Sequence, residues 1–512
     1  MFEEKIIPFE QAPAFFEKLR LSGKRIVQCH GTFDLIHPGH LYHLEEARAK
    51  GDILVVTVTS EPHVNKGPGR PFFNDQLRSK TLSALGFVDY VVLIPFPAAV
   101  EAIECVRPHI YCKGREYAEA SNDVTGNILD EVAAVERVGG QTEYLGSVVF
   151  SSTKLLNNFF NHLPEPVKAL GQKIASRYRP EDFRKVVDDF SKLRVLVLGD
   201  SIFDRYSFVK VQGLTSKNRI ISGRFLREQT DPGGALAVAR HLRQFTPHVK
   251  MISLVGADPW IDPLIRQHFS PSEDLFVRDP RVTTIVKQRF VEPVADGKEL
   301  GKLFSVNFID AEPPPPEVIT RILENLERAI REVDLVAVMD FGHGLMVPEV
   351  REFVQKNAPF MALNCQTNSN NHGFNIINQQ YRRCDCFALD EPEMLLACSR
   401  KRINFAQELN RLQTFFGAQY AWLTRGAVET IGLDPQHNMA TCPPLQPNVT
   451  DTVGAGDAFF SVVALAAAQG VPIECATFLG QLAGSQAVNI VGNSQPISKS
   501  TLLKSGLALI NY

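Results

Sequence analysis

Gly31-Thr32-Phe33-Asp34-Leu35-Ile36-His37-Pro38-Gly39-His40 follows the short apolar run 25–29 and leads into residues 41–50, where Leu41, Leu44 and Ala47 share one helical face. A strand, a glycine turn and a helix start make an anion site, because free backbone N–H groups and the positive helix end face the ligand. Pro38 suits the first turn of that helix. His37 and His40 lie three apart across the turn, so both rings can reach one phosphate and stabilise charge as an α-phosphorus becomes five-coordinate. Outward from this loop, residues 53–58 form a continuous β-branched run, as in a buried parallel strand. Residues 77–85, 97–105 and 130–138 read as helices, the last closed by Gly139-Gly140, and residues 90–94 and 110–112 read as strands. Strands alternating with helices predict a doubly wound parallel sheet, with the loop at its carboxyl ends.

A second loop, Asp451-Thr452-Val453-Gly454-Ala455-Gly456-Asp457, precedes the apolar helix 458–465. Gly454, Ala455 and Gly456 can aim successive N–H groups at a transferring phosphoryl group, and Asp457 is placed to accept a hydroxyl proton. A new apolar strand, Val195-Leu196-Val197-Leu198, opens the α/β region that contains this loop, and the polar, β-rich residues 207–232 predict a small sheet lying over the site as a lid. The expected division is a Rossmann-like domain over 1–160, a linker with Pro164, Pro166 and Pro180 over 161–192, and a second α/β domain over 193–512.

The 512-residue length favours two or three domains. A net charge of −3 gives no global field toward nucleic acid or a membrane. No charge-free run of about 18 apolar residues suggests a membrane span, and the N-terminus does not read as a signal peptide. The nine cysteines are scattered, with no partner pair at zinc spacing, so reduced thiols in a cytoplasmic protein are expected.

The first loop resembles the signature of the H-x-G-H nucleotidylyltransferases, which include cytidylyltransferases and the adenylyltransferases that activate heptose 1-phosphate. Lys66-Gly67-Pro68-Gly69-Arg70-Pro71, followed by Arg78, is similar to that family's Lys…Arg-Pro segment. Residues 107–117, with Lys113-Gly114, are similar to its Pro-Asp-x-x-x-Lys-Gly stretch, and Phe150-Ser151-Ser152-Thr153 to its closing element. The resemblance implies that Gly31, Thr32 and Phe33, with His37 and His40, hold the triphosphate, that Lys113 neutralises phosphate charge, that Arg70 meets substrate, and that Ser151, Ser152 and Thr153 bind phosphate. Leu156 stands where some relatives carry an arginine, which favours sugar phosphate over phosphocholine-like substrates.

The second loop is similar to the signature of the ribokinase-like (PfkB) sugar kinases. Gly199-Asp200-Ser201-Ile202-Phe203-Asp204 resembles the first strand of heptose kinases, in which the second aspartate, here Asp204, binds sugar hydroxyls. Gly233 and Gly234 match the substrate-side di-glycine. Asp390 and Glu393 fall where the family has Asn-x-x-Glu, the element that organises magnesium. Thr424 and Gly426 match a nucleotide-contacting strand end, and residues 487–493, including Asn489, are expected near adenine. Two positions and one segment depart from the pattern: Ala237 replaces an asparagine, Asp390 replaces another, and Asn364-Cys365-Gln366 replaces the heptose kinases' Asp-Pro-Lys.

The pairing resembles bifunctional heptose kinase/adenylyltransferases with the domain order reversed. It implies a magnesium-dependent enzyme that makes a nucleotide-activated sugar from a nucleoside triphosphate and a sugar or sugar phosphate, with ATP preferred over CTP. Both families often form homodimers. The alternative is a nucleotidylyltransferase whose kinase-like half is a regulatory sugar- or nucleotide-binding module. Ala237 and the lost Asp-Pro-Lys motivate that alternative, while the intact Gly454-Ala455-Gly456-Asp457 favours catalysis.

Overall fold

The computed structural model describes residues 3–64, 70–115, 127–145, 164–270, 272–293, 300–310, 312–367, 371, 373–446 and 449–510. The chain divides into two compact units, Met1–Ser176 with Leu503–Tyr512, and Arg177–Leu502.

The first unit is built on a six-stranded parallel sheet: β1 (Ile6–Ile7), β2 (Ile26–Gly31), β3 (Ile53–Thr59), β4 (Tyr90–Ile94), β5 (Ile110–Gly114) and β6 (Gln141–Leu145), in the order β1-β4-β3-β2-β5-β6. Its central strands are apolar on both faces because both faces are covered. Val27, Leu54, Val56 and Val58 pack with Leu44 and Ala47 of the helix Pro38–Arg48. Ile26, Ile53 and Val55 pack with Ala12 and Phe16 of the helix Ala12–Leu21. The chain leaves β2 toward β3, while β5 flanks β2 on the other side. A topological switch point therefore falls at Gly31, the last residue of β2. β1 was not expected from the sequence; two residues are too short to carry a periodic signal. The stretch read as a linker contains the helices Glu165–Ala175 and Pro180–Asp189, with Val167, Ile174, Phe183 and Val187 buried.

The second unit has two sheets. The larger comprises β7 (Val195–Gly199), β10 (Val249–Val255), β11 (Asp274–Arg278), β14 (Leu335–Asp340), β15 (Met361–Cys365), β16 (Cys386–Asp390), β17 (Tyr420–Thr424), β18 (Thr430–Leu433) and β19 (Met439–Cys442). Their order is β11-β10-β7-β14-β15-β16-β17-β18-β19, with every pairing parallel except β17–β18 and β18–β19, which are antiparallel. The smaller comprises β8 (Ser201–Leu214), β9 (Ile221–Gly234), β12 (Ile285–Pro293) and β13 (Leu300–Phe308), in the order β13-β12-β8-β9. The lid expected over 207–232 is thus the β8–β9 hairpin, and β12 and β13 complete its sheet. All nine cysteines are free thiols. No described helix is long and apolar enough to cross a membrane.

Candidate active sites

In the first unit, the loop after β2 is pinned before the helix begins. Phe33 has φ 47°, a left-handed conformation that costs a non-glycine residue energy. Burial of its ring in the core against the helix and β3 opposes that cost. Arg78, from the helix Asp75–Ser83, is buried and donates from Nη1 to the carbonyls of Thr32 (2.6 Å) and Thr59 (2.9 Å). His37 caps the helix Pro38–Arg48 in extended conformation, with Pro38 in its first turn. The His37 and His40 rings stack at 3.9 Å with 20° between their planes, and Phe33 packs 5.3 Å from His40. The four imidazole nitrogens are thereby gathered at a helix start.

Around the stack, Asp34 Oδ1 accepts the Phe73 N–H at 2.9 Å, and its Oδ2 is 3.0 Å from Arg70 Nε. The Arg70 side chain is 3% exposed, and its Nη1 and Nη2 have no hydrogen-bond partner among the described residues. Such a guanidinium suits an anionic ligand. Lys113, expected to face phosphate, makes an ion pair with Glu131 Oε2 at 2.6 Å, and Tyr111 O–H donates to the same oxygen at 3.1 Å. Glu131 carried no signal in the sequence because it lies on a separate helix, Asn127–Arg137. His30, just before the loop, is bracketed by Thr57 Oγ1 (3.0 Å) and Thr59 Oγ1 (3.2 Å). Burial, then the Lys113 and Lys504 ammoniums, push its pKa down to about 3, so it is a neutral part of the frame. Ser151, Ser152 and Thr153, like residues 66–69, lie outside the described residues.

In the second unit, the helix Ala455–Ala468 starts at Gly454, whose φ of 83° favours glycine and whose Cα faces Asn493 so closely that a Cβ would collide with Oδ1. Asp457 lies in the first turn of this helix, buried. Burial raises its carboxyl pKa to about 7; a hydrogen bond from Gln366 and the Lys287 ammonium oppose that rise, and Asp204 adds to it. The Gln366 bond runs from Nε2 to Asp457 Oδ1 at 2.8 Å.

The small sheet faces this loop. Lys302 of β13 pairs with Asp451 Oδ1 at 2.8 Å, and Tyr206 O–H of β8 donates to Asp451 Oδ2 at 2.9 Å. Asp204, also on β8, accepts from Arg289 Nη1 (2.5 Å) and Asn493 Nδ2 (2.9 Å). Gly233 of β9 allows that approach, because a Cβ there would run into Asp204 Oδ2. Gly234, φ 55°, turns the chain into the helix Ala235–Leu242. Ala237 is buried in that helix, and the amide beside Asp204 comes instead from Asn493. Lys287 stands opposite Asp204 in the β8–β12 register, its ammonium 5.6 Å from the centre of the Phe341 ring. Lys287 and Arg289 escaped the sequence reading because they belong to the unforeseen half of this sheet.

Asp390 and Glu393 cap the helix Glu391–Cys398 reciprocally: Glu393 N–H donates to Asp390 Oδ1 (2.8 Å) and Asp390 N–H to Glu393 Oε2 (2.9 Å). Thr367 N–H also donates to Glu393 Oε1 at 3.1 Å. Burial, then Asp390, raises the Glu393 carboxyl pKa. A nearby divalent cation would favour its charged form, and both carboxylates keep lone pairs beyond these single bonds. The pair therefore fits a magnesium ion held largely by phosphate and water. Among the described residues no three acidic, His or Cys side chains form a metal-binding group by themselves. Thr424 ends β17, with Oγ1 donating to the Leu389 carbonyl at 3.4 Å, and Gly426 turns toward β18 with φ 53°. Asn489 is exposed and accepts from Gln446 Nε2 at 3.1 Å.

Residues 29–157 match the cytidylyltransferase-like family model, and residues 356–500 match that of the pfkB family carbohydrate kinases. The bifunctional protein HldE of Aliarcobacter butzleri is 38% identical over 136 residues, covering 26% of this chain and 28% of that protein. HldE of Pelobacter propionicus is 37% identical over 153 residues, 30% of each. The matches thus span less than a third of the length of these relatives. Phosphofructokinase-2 from Escherichia coli, in complex with substrates and products, is similar in fold to 62% of this chain and 99% of its own length, with a TM-score of 0.50 and 15% identity. The chain carries a cytidylyltransferase-like N-terminal domain and a C-terminal pfkB domain with a ribokinase-like fold, in the reverse of the domain order of HldE.

Proposed function

We propose that the chain is a bifunctional enzyme making a nucleotide-activated sugar, of the ADP- or CDP-sugar type. The observation that carries this reading is the pair of helix starts, one presenting stacked imidazoles and the other a buried carboxyl, each in its own compact unit.

In the first unit, a sugar 1-phosphate oxygen attacks the α-phosphorus of ATP or CTP. The bond to the bridging oxygen breaks, and pyrophosphate leaves. The nucleophile is already anionic, so the site needs charge stabilisation rather than a base. His37, His40, the helix N-terminus and Arg70 supply it.

In the second unit, the acceptor hydroxyl oxygen attacks the γ-phosphorus of ATP, its proton passes to Asp457, and ADP leaves. Asp204 and Asn493 orient acceptor hydroxyls, and the N–H groups of 454–456 face the transferring group. Asp390 and Glu393 would hold magnesium, which supplies charge neutralisation on the triphosphate when bound.

The test is product mass spectrometry after incubation with ATP, CTP and a panel of sugars and sugar phosphates. His40→Ala should lose pyrophosphate release and retain ADP formation, and Asp457→Asn should do the reverse. Absence of ADP from the wild-type chain across the panel would sink the kinase half of the reading.

A further inference from the structure

Gln366 occupies the position where the heptose-kinase resemblance implies a lysine, and it contacts Asp457 directly, Nε2 to Oδ1 at 2.8 Å. The glutamine is itself held in a frame at the carboxyl ends of β14 and β15. Its N–H donates to the Asp340 carbonyl at 2.8 Å, and its own carbonyl accepts from Asn375 Nδ2 at 3.1 Å. The same Asn375 nitrogen lies 3.1 Å from Asp340 Oδ1, while Tyr381 O–H (2.7 Å) and Arg351 Nε (3.2 Å) fix Asp340 Oδ2. Each of these groups is buried or half-buried. The frame thus leaves Gln366 little freedom except in the side chain that reaches Asp457.

With Oδ1 engaged by an N–H donor, Oδ2 is the oxygen left to take a proton. We infer that Gln366 is a positioning residue, fixing the rotation of the Asp457 carboxyl so that Oδ2 meets the acceptor hydroxyl. This rests on the phosphoryl-transfer reading above. In that step the acceptor oxygen bonds to the γ-phosphorus as the bond to the departing ADP oxygen breaks. The hydroxyl proton goes to Oδ2 and later to water.

The choice of a neutral amide has a second consequence. The ionisable groups facing Asp457 are Asp204 from β8, Lys287 from β12 and Glu393 from the helix after β16. Gln366 adds a hydrogen bond to the charged carboxylate without adding a full charge. A lysine at the same place would favour the carboxylate more strongly. Gln366 therefore sets the acid limb of the reaction higher than a lysine would.

The test uses full-length Gln366→Leu and Gln366→Lys. ADP release from ATP is followed against pH with a panel of aldohexose and aldoheptose monophosphates. In parallel, the Asp457 carboxyl is titrated by infrared difference spectroscopy, with Asp457→Asn as the blank. Gln366→Leu should lower kcat about 10-fold or more with KM little changed, and move the acid limb to higher pH. Gln366→Lys, which keeps a donor, should move the acid limb to lower pH by about one unit. A folded Gln366→Leu chain with wild-type kcat and an unmoved limb overturns the inference. If Gln366→Leu does not fold, an unmoved limb in Gln366→Lys does the same. If the wild-type chain forms no ADP with any panel member, the kinase reading fails separately. The infrared titration then decides the glutamine's role: an upward shift in Gln366→Leu sustains its hold on the carboxyl, and an unchanged titration overturns it.

Discussion

At the residue scale, Asp457 joins an exact position to an altered proton affinity. Burial raises its carboxyl pKa to about 7, so below that pH the group is protonated and cannot accept the acceptor's proton. ADP formation should therefore rise with pH through about 7, falling about tenfold per unit below the break. A rate-against-pH profile at saturating ATP checks this, and a profile flat from pH 5 to 8 would exclude Asp457 as the base. Gly454 carries a different constraint. Its φ of 83° and its closeness to Asn493 leave no room for a side chain. Gly454→Ala should cost about 1–3 kcal/mol and reduce ADP formation, while pyrophosphate release is unaffected. Urea unfolding together with the two product assays would read both effects.

At the element scale, Arg78 ties together three pieces of the first unit: the helix Asp75–Ser83, the carboxyl end of β3 and the loop after β2. The strain at Phe33 persists because these pieces over-determine the loop. Arg78→Met keeps much of the volume but leaves the Thr32 and Thr59 carbonyls without their donor. The expected loss is about 1–3 kcal/mol, with slower pyrophosphate release and unchanged ADP formation. Equal stability and full nucleotidyl transfer in that variant would show that the loop does not depend on this tie. The small sheet of the second unit follows the same logic. β8 supplies Asp204, and β12 supplies the Arg289 that holds it, so the acceptor side of the proposed kinase site exists only when both strands are paired.

At the scale of the whole molecule, residues 503–512 belong with the first unit although they end the chain. Leu503, Leu507, Leu509 and Ile510 are buried, and Gly171 lies against the Leu509 carbonyl so closely that a Cβ would clash. Deleting 503–512 should lower the temperature at which pyrophosphate release is lost, because each buried side chain contributes about 1.5–3 kcal/mol. Thermal inactivation identical to that of the full chain would refute this. The alternation of strands and helices, the switch-point loop and the glycine loop at 454–456 were legible from the sequence, because apolar period, Gly, Pro and the His37/His40 spacing are local signals. β1 was too short to read, and β12 and β13 gave no sign of joining the small sheet. The partners that tune the sites were also hidden. Gln366 and Asp457 are 91 residues apart, Asp204 and Arg289 are 85 apart, and Asp204 and Asn493 are 289 apart. The sequence by itself determined which groups are the candidates for the proposed chemistry. Only the tertiary structure decided their neighbours, and with them the proton affinity of Asp457 and the pairing of Lys113 with Glu131, because desolvation and charge proximity depend on distances in space.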